Sequence, residues 1–214
     1  MTMKKVFNLI IVDESGSMSI IEKQALMGLN ETLETVKKIQ KAHPEMEQRV
    51  TLLTFDSTHT RFIYDNVPAN DTHTLSRRDY CPGGATPLYD AIGIGISKLN
   101  AQTEPDDNVL VTIITDGEEN CSEEYNLKMV KNLIEKLKKQ NWTFTLIGTD
   151  NLDVEGMAGS LSIDDHMVFP EDANGTTEMF MKGNVARCNF NTMLAEGRPI
   201  SRGHFFKNKK GKKN

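Results

Sequence analysis

The chain has 214 residues, 38% hydrophobic and 26% charged, with a net charge of −5, which suits one domain with a sizeable core. No apolar run approaches the ~20 residues that a membrane-crossing helix needs. The scattered cysteines Cys81, Cys121 and Cys188 argue against a disulfide framework and a structural zinc site.

The elements alternate along the chain. Residues 6–12 are apolar and β-branched, as in a strand buried on both faces. The opening MTMKKVFNLIIVDESG loosely mimics a secretory signal, but its apolar run stops at Asp13-Glu14 without a small-residue cleavage site. Residues 21–41 carry Leu26, Leu29, Leu33 and Val36 at helical spacing, and His43-Pro44 ends that helix. RVTLLTF (49–55) is a second strand, DSTHT a turn, and RFIY (61–64) a short returning edge strand, followed by a polar loop over 65–84. In GGATPLYDAIGIGISKLN, Thr86 fits an N-cap and Pro87 the first helical position, with Leu88, Ile92, Ile96 and Leu99 as the buried stripe. NVLVTIIT (108–115) is an apolar strand ending at Asp116-Gly117. Ser122 is placed to cap a helix containing Leu127, Val130, Leu133, Ile134 and Leu137. Strands at 142–147 and 166–169 and helices at 153–161 and 176–195 complete the domain, expected over 1–196. Residues 197–214 carry seven Lys or Arg and no acid, and are expected to be a disordered, solvated tail. Subtracting those seven charges from −5 leaves −12 on the body, a balance that argues against nucleic-acid binding.

Strands alternating with helices imply an α/β fold, a mostly parallel sheet covered on both faces. In such sheets ligands bind outside the carboxyl ends of the strands, where the strand order reverses. Three loops belong on that edge, DESGSMS, GGATP and TDGEEN, and they hold Asp13, Ser15, Ser17, Thr86 and Asp116. All five are oxygen ligands, the kind that hard cations such as Mg²⁺ prefer. The alternation of Asp13, Ser15 and Ser17 puts three side chains on one side of the segment, and Gly16 permits the tight path between them. Taken singly, each has another use: Ser15, Ser17 and Thr86 as helix caps, Asp116-Gly117 as a turn.

The joint pattern Asp13-x-Ser15-x-Ser17, then Thr86, then Asp116 resembles the metal-ion-dependent adhesion site of the von Willebrand factor A-type (vWA) domain. The resemblance covers roughly residues 4–195 and is closest to compact cytoplasmic bacterial members. It implies a doubly wound, Rossmann-like sheet with one short antiparallel edge strand, and a divalent cation (Mg²⁺, or Mn²⁺ or Ca²⁺) held by those five residues. It also implies a partner protein whose Asp or Glu carboxylate completes the coordination, no catalysis, and in some members movement of the last helix. The cytoplasm is the expected compartment, and no membrane partner is expected.

A strand ending in Asp also resembles the haloacid dehalogenase-like phosphatases, in which Asp13 would be the nucleophile of a Mg²⁺-dependent phosphotransferase. That chemistry wants a second acid two residues on, where this chain has Ser15. A P-loop is excluded because GGAT lacks the following Lys-Ser/Thr, and Gly93 and Gly95 sit mid-helix. Beside the constellation, Glu118 and Glu119 read either as a solvated loop or as charges that tune the metal or select a basic partner, Asp90 as either a support for the site or a solvated position, and Cys81 and Cys121 as free thiols.

Overall fold

The structure, a computed structural model, describes residues 4–207. Strands β1 (Lys4–Asp13), β2 (Met46–Asp56), β3 (His59–Pro68), β4 (Asn108–Thr115), β5 (Trp142–Thr149) and β6 (Asp165–Phe169) form one sheet in the order β3-β2-β1-β4-β5-β6. Every neighbouring pair is parallel except β2 with β3, which makes β3 the antiparallel edge. The chain adds β2 and β3 on one side of β1, then returns through helix α2 (Leu88–Asn100) to place β4 on the other. The loops leaving β1 and β4 therefore diverge at the switch point.

The period-2 geometry of β1 sorts its side chains between two cores. Phe7, Leu9 and Ile11 pack with Leu88, Ile92, Ile96 and Leu99 of α2, and with Val130, Ile134 and Leu137 of α3 (Leu127–Leu137). Ile10 and Val12 face α1 (Glu22–Ala42) and α5 (Ala173–Ala195) through Leu29, Leu33, Met179 and Phe180. Helix α4 (Val154–Ser160) joins the first core through Val154 and Ala158. Among the described residues no helix is long and apolar enough to cross a membrane.

Several boundaries differ from the sequence reading, for physical reasons. The edge strand β3 is ten residues long because pairing to β2 continues past a register shift, with Asn66 at φ 53°. Helix α2 starts at Leu88 with Pro87 in the cap position and no side-chain cap, so Thr86 is not an N-cap. Asn126 rather than Ser122 caps α3, by accepting from the Met129 amide, and Asp172 caps α5, which starts at Ala173, three residues before the expected position. Gly203 and Phe205, placed in the tail by the sequence, donate their amides to the Asp165 carboxylate at 3.0 and 2.7 Å. Residues 208–214 lie outside the described residues.

Candidate metal centre

Asp13 is the last residue of β1 and is fully buried. Its Oδ1 accepts from the Ser15 amide at 2.8 Å and its Oδ2 from the Thr115 hydroxyl at 2.6 Å. Its carbonyl accepts from the Tyr80 hydroxyl at 2.8 Å. Both the carboxylate and the backbone that carries it are therefore held before any ligand arrives. After Asp13 the chain turns into a 3₁₀ segment, Gly16–Ile20, which brings the Ser15 and Ser17 hydroxyl oxygens within 3.2 Å of each other. Gly16 donates its amide to the Gly84 carbonyl, and a Cβ there would stand at an ordinary contact distance of 3.4 Å from that oxygen.

Ser17 Oγ donates to Asp116 Oδ1 at 2.8 Å, joining the loops after β1 and β4. Asp116 is 3% exposed, and its Oδ2 has no hydrogen-bond partner among the described residues. Burial pushes this carboxyl up to about 7, and the negative charges of Asp13 and Glu171 add to the rise against the Ser17 hydrogen bond. The Asp13 carboxyl is raised too, by burial above all, against the hydrogen bonds from Thr115 and Ser15. A positive charge nearby would favour the ionised form of both carboxyls.

Thr86 arrives from the third loop, which is locked by reciprocal bonds with Asn120: the Thr86 amide donates to Asn120 Oδ1, and the Asn120 amide to the Thr86 carbonyl. A Cβ on Gly117 would lie 2.8 Å from Thr86 Oγ1 and 3.6 Å from Asp13 Oδ2. Thr86 and Asp13 thus face a common point that only glycine leaves open. The structure brings all five predicted side chains to one edge. No group of three or more His, Cys, Asp or Glu able to hold a metal occurs among the described residues; this cluster has two carboxylates and three hydroxyls. The nucleophile reading of Asp13 gains no support: the residue two positions on, where that chemistry wants an acid, is Ser15, whose amide donates to Asp13.

The structure adds a residue that the sequence did not single out and places others that it did. Glu14, 1% exposed, accepts from the Cys81 amide, from Arg61 at 3.3 Å and from the His59 ring at 3.1 Å, pinning the first loop to β3 and to the segment before Gly84. Glu119 is not a solvated loop residue: it accepts from the amides of Tyr89, Cys121 and Ser122 and from the Ser122 hydroxyl. Asp90 accepts three consecutive amides, Glu123 to Tyr125, and so neither supports the site directly nor stands in solvent. Glu118 is exposed, and Cys81 and Cys121 are free.

The family model of the von Willebrand factor type A domain matches residues 9–182. The chain belongs to the vWA family. Such domains are generally protein-interaction modules. No curated protein matches the chain. Among solved structures, this vWA chain is similar to the vWF domain of the type V pili tip protein Mfa5 from Porphyromonas gingivalis, with a TM-score of 0.62, 12% identity and coverage of 94% of this chain and 99% of that one. The VWA domain of SpRpn10 gives 0.58 at 14% identity over 85% and 95%. The pilus adhesin SpaC from Lactobacillus rhamnosus GG gives 0.65 at 12% identity, covering 91% of this chain. The chain spans only 30% of SpaC, and 62% of the PilB minor pilin from Streptococcus sanguinis, which it matches at a TM-score of 0.58 and 13% identity over 92% of its own length. Identities this low establish the fold alone.

Proposed function

We propose that this vWA domain is a metal-dependent protein-binding module. Asp13, Ser15, Ser17, Thr86 and Asp116 hold a divalent cation, Mg²⁺ in the first instance with Mn²⁺ or Ca²⁺ as substitutes, and a partner's Asp or Glu carboxylate completes its coordination. The observation that carries this reading is Asp116 Oδ2, a buried carboxylate oxygen with no hydrogen-bond partner among the described residues. The charge of the fully buried Asp13 acts on it directly. An all-oxygen set suits a hard cation that keeps water or an outside ligand in its remaining positions. When bound, the cation supplies a seat for an anionic group. Asp13 is preoriented by Ser15 and Thr115, and Ser17 can redirect its hydroxyl proton away from Asp116 and offer a lone pair instead. Neither step needs a change in backbone path.

Calorimetry tests the reading. Wild-type protein should take up one Mg²⁺, and Asp13→Ala should lose at least about 100-fold in affinity, since even outer-shell changes cost 10–100-fold. An unchanged affinity overturns the site. Partner capture should fail in EDTA and return with Mg²⁺, and clean protein should not hydrolyse phosphomonoesters.

A further inference from the structure

A second charged site lies deeper in the molecule, between α5 and the sheet. Arg187 is 3% exposed, yet it forms no ion pair with Asp or Glu among the described residues. Its hydrogen-bond partners are neutral: Nη1 donates to Asn8 Oδ1 at 2.7 Å and Nη2 to Thr112 Oγ1 at 2.9 Å. The surrounding polar layer is neutral as well. Asn8 Nδ2 donates to Gln48 Oε1, Gln48 Nε2 to Asn191 Oδ1, and Asn191 Nδ2 to the Arg187 carbonyl. Nε is buried with no hydrogen-bond partner among the described residues. Burial draws the guanidinium down to about 10, so it stays charged at neutral pH. A buried charge without a counter-charge is costly, and nothing in the polar layer supplies one.

Against Arg187 lies a cavity of about 20 Å³, whose walls include Ile10, Thr32, Ile114, Met179 and Asn184. A cavity needs ~10–15 Å³ to hold one water-sized particle, so this one admits a single small occupant. Water would bond to Nε but leave the charge uncompensated. The small volume and mostly apolar walls favour a compact monovalent anion over sulfate, phosphate or a carboxylate. We propose that this cavity is a binding site for a monovalent halide, chloride above all, which neutralises Arg187 beneath α5.

The test uses the full chain in EDTA, so that no cation at the sheet edge contributes, with sodium chloride exchanged for sodium gluconate at constant ionic strength. Chloride should raise Tm in a saturable way, by about 3–5 °C at tenfold excess over half-saturation, with bromide equivalent. A crystal soaked in bromide should show an anomalous peak in the cavity beside Arg187. Arg187→Met should lose the chloride increment. If that variant fails to fold, the two wild-type measurements decide alone. Equal Tm in chloride and gluconate overturns the proposal, as does a soaked crystal with no bromide peak there.

Discussion

Gly117 shows how little room the candidate site has. A methyl group there would sit 2.8 Å from the Thr86 hydroxyl, a separation that forces one of them to move. Gly117→Ala should therefore weaken Mg²⁺ binding by about tenfold, the scale of a disturbed supporting shell, with little change in the circular dichroism spectrum; full retention of affinity in calorimetry contradicts this geometry. Asp116 yields a prediction of opposite sign for stability. Its carboxyl is raised to about 7 by burial and by the neighbouring Asp13 and Glu171 charges. Asp116→Asn removes one of the crowded negative charges while keeping the side-chain shape. The metal-free variant should melt above metal-free wild type, and its Tm should no longer respond to Mg²⁺. Asp13, Ser15 and Ser17 were legible in the sequence because local alternation encodes them. Glu14, Tyr80 and Asn120 were not, because their roles lie in contacts 34 to 67 residues away, which no local pattern records.

At the level of single elements, capping is where the sequence reading and the structure part. Thr86 and Ser122 have good cap chemistry, but the chain uses them elsewhere. Ser122 donates its hydroxyl to Glu119 and accepts from the Asp90 amide, and the Thr86 backbone is tied to Asn120. Asp172 takes the cap of α5 by accepting from Gly175 at 2.7 Å; Asp172→Ala should cost about 1 kcal/mol in urea unfolding. The contact between α1 and α5 depends on Gly28, whose added Cβ would fall 2.0 Å from the Phe180 ring. Gly28→Ala should therefore destabilise by about 1–3 kcal/mol, the usual cost of overpacking, despite the better helix propensity of alanine. A neutral or stabilising result in the same assay shows that α5 yields more readily than this packing implies.

Over the whole molecule, the strand order gathers the loops after β1, after β4 and before α2 on one edge. The doubly wound sheet was legible because β1, β4 and β5 are apolar runs alternating with amphipathic helices. The full length of β3 was not, since its half-exposed face carries a mixed pattern and its pairing runs past a bulge. Mg²⁺ at a hundredfold excess over its dissociation constant should stabilise the fold by about 2.7 kcal/mol. That corresponds to a Tm rise of about 5–11 °C for a chain of this size, and Asp13→Ala should abolish it.

The pairing of β1 with β4 has a consequence for timing. Val12 lies beside Ile114, and Asp13 meets Thr115 across 102 positions of chain. The two carboxylates of the candidate site therefore cannot meet until one of the longest-range strand pairings in the fold has formed, and such contacts form slowly because the intervening loop must first close. A chain still being synthesised, with β4 not yet emerged, has Asp13, Ser15 and Ser17 but nothing opposite them. In refolding, cation uptake should lag behind the recovery of helix until β4 has paired with β1.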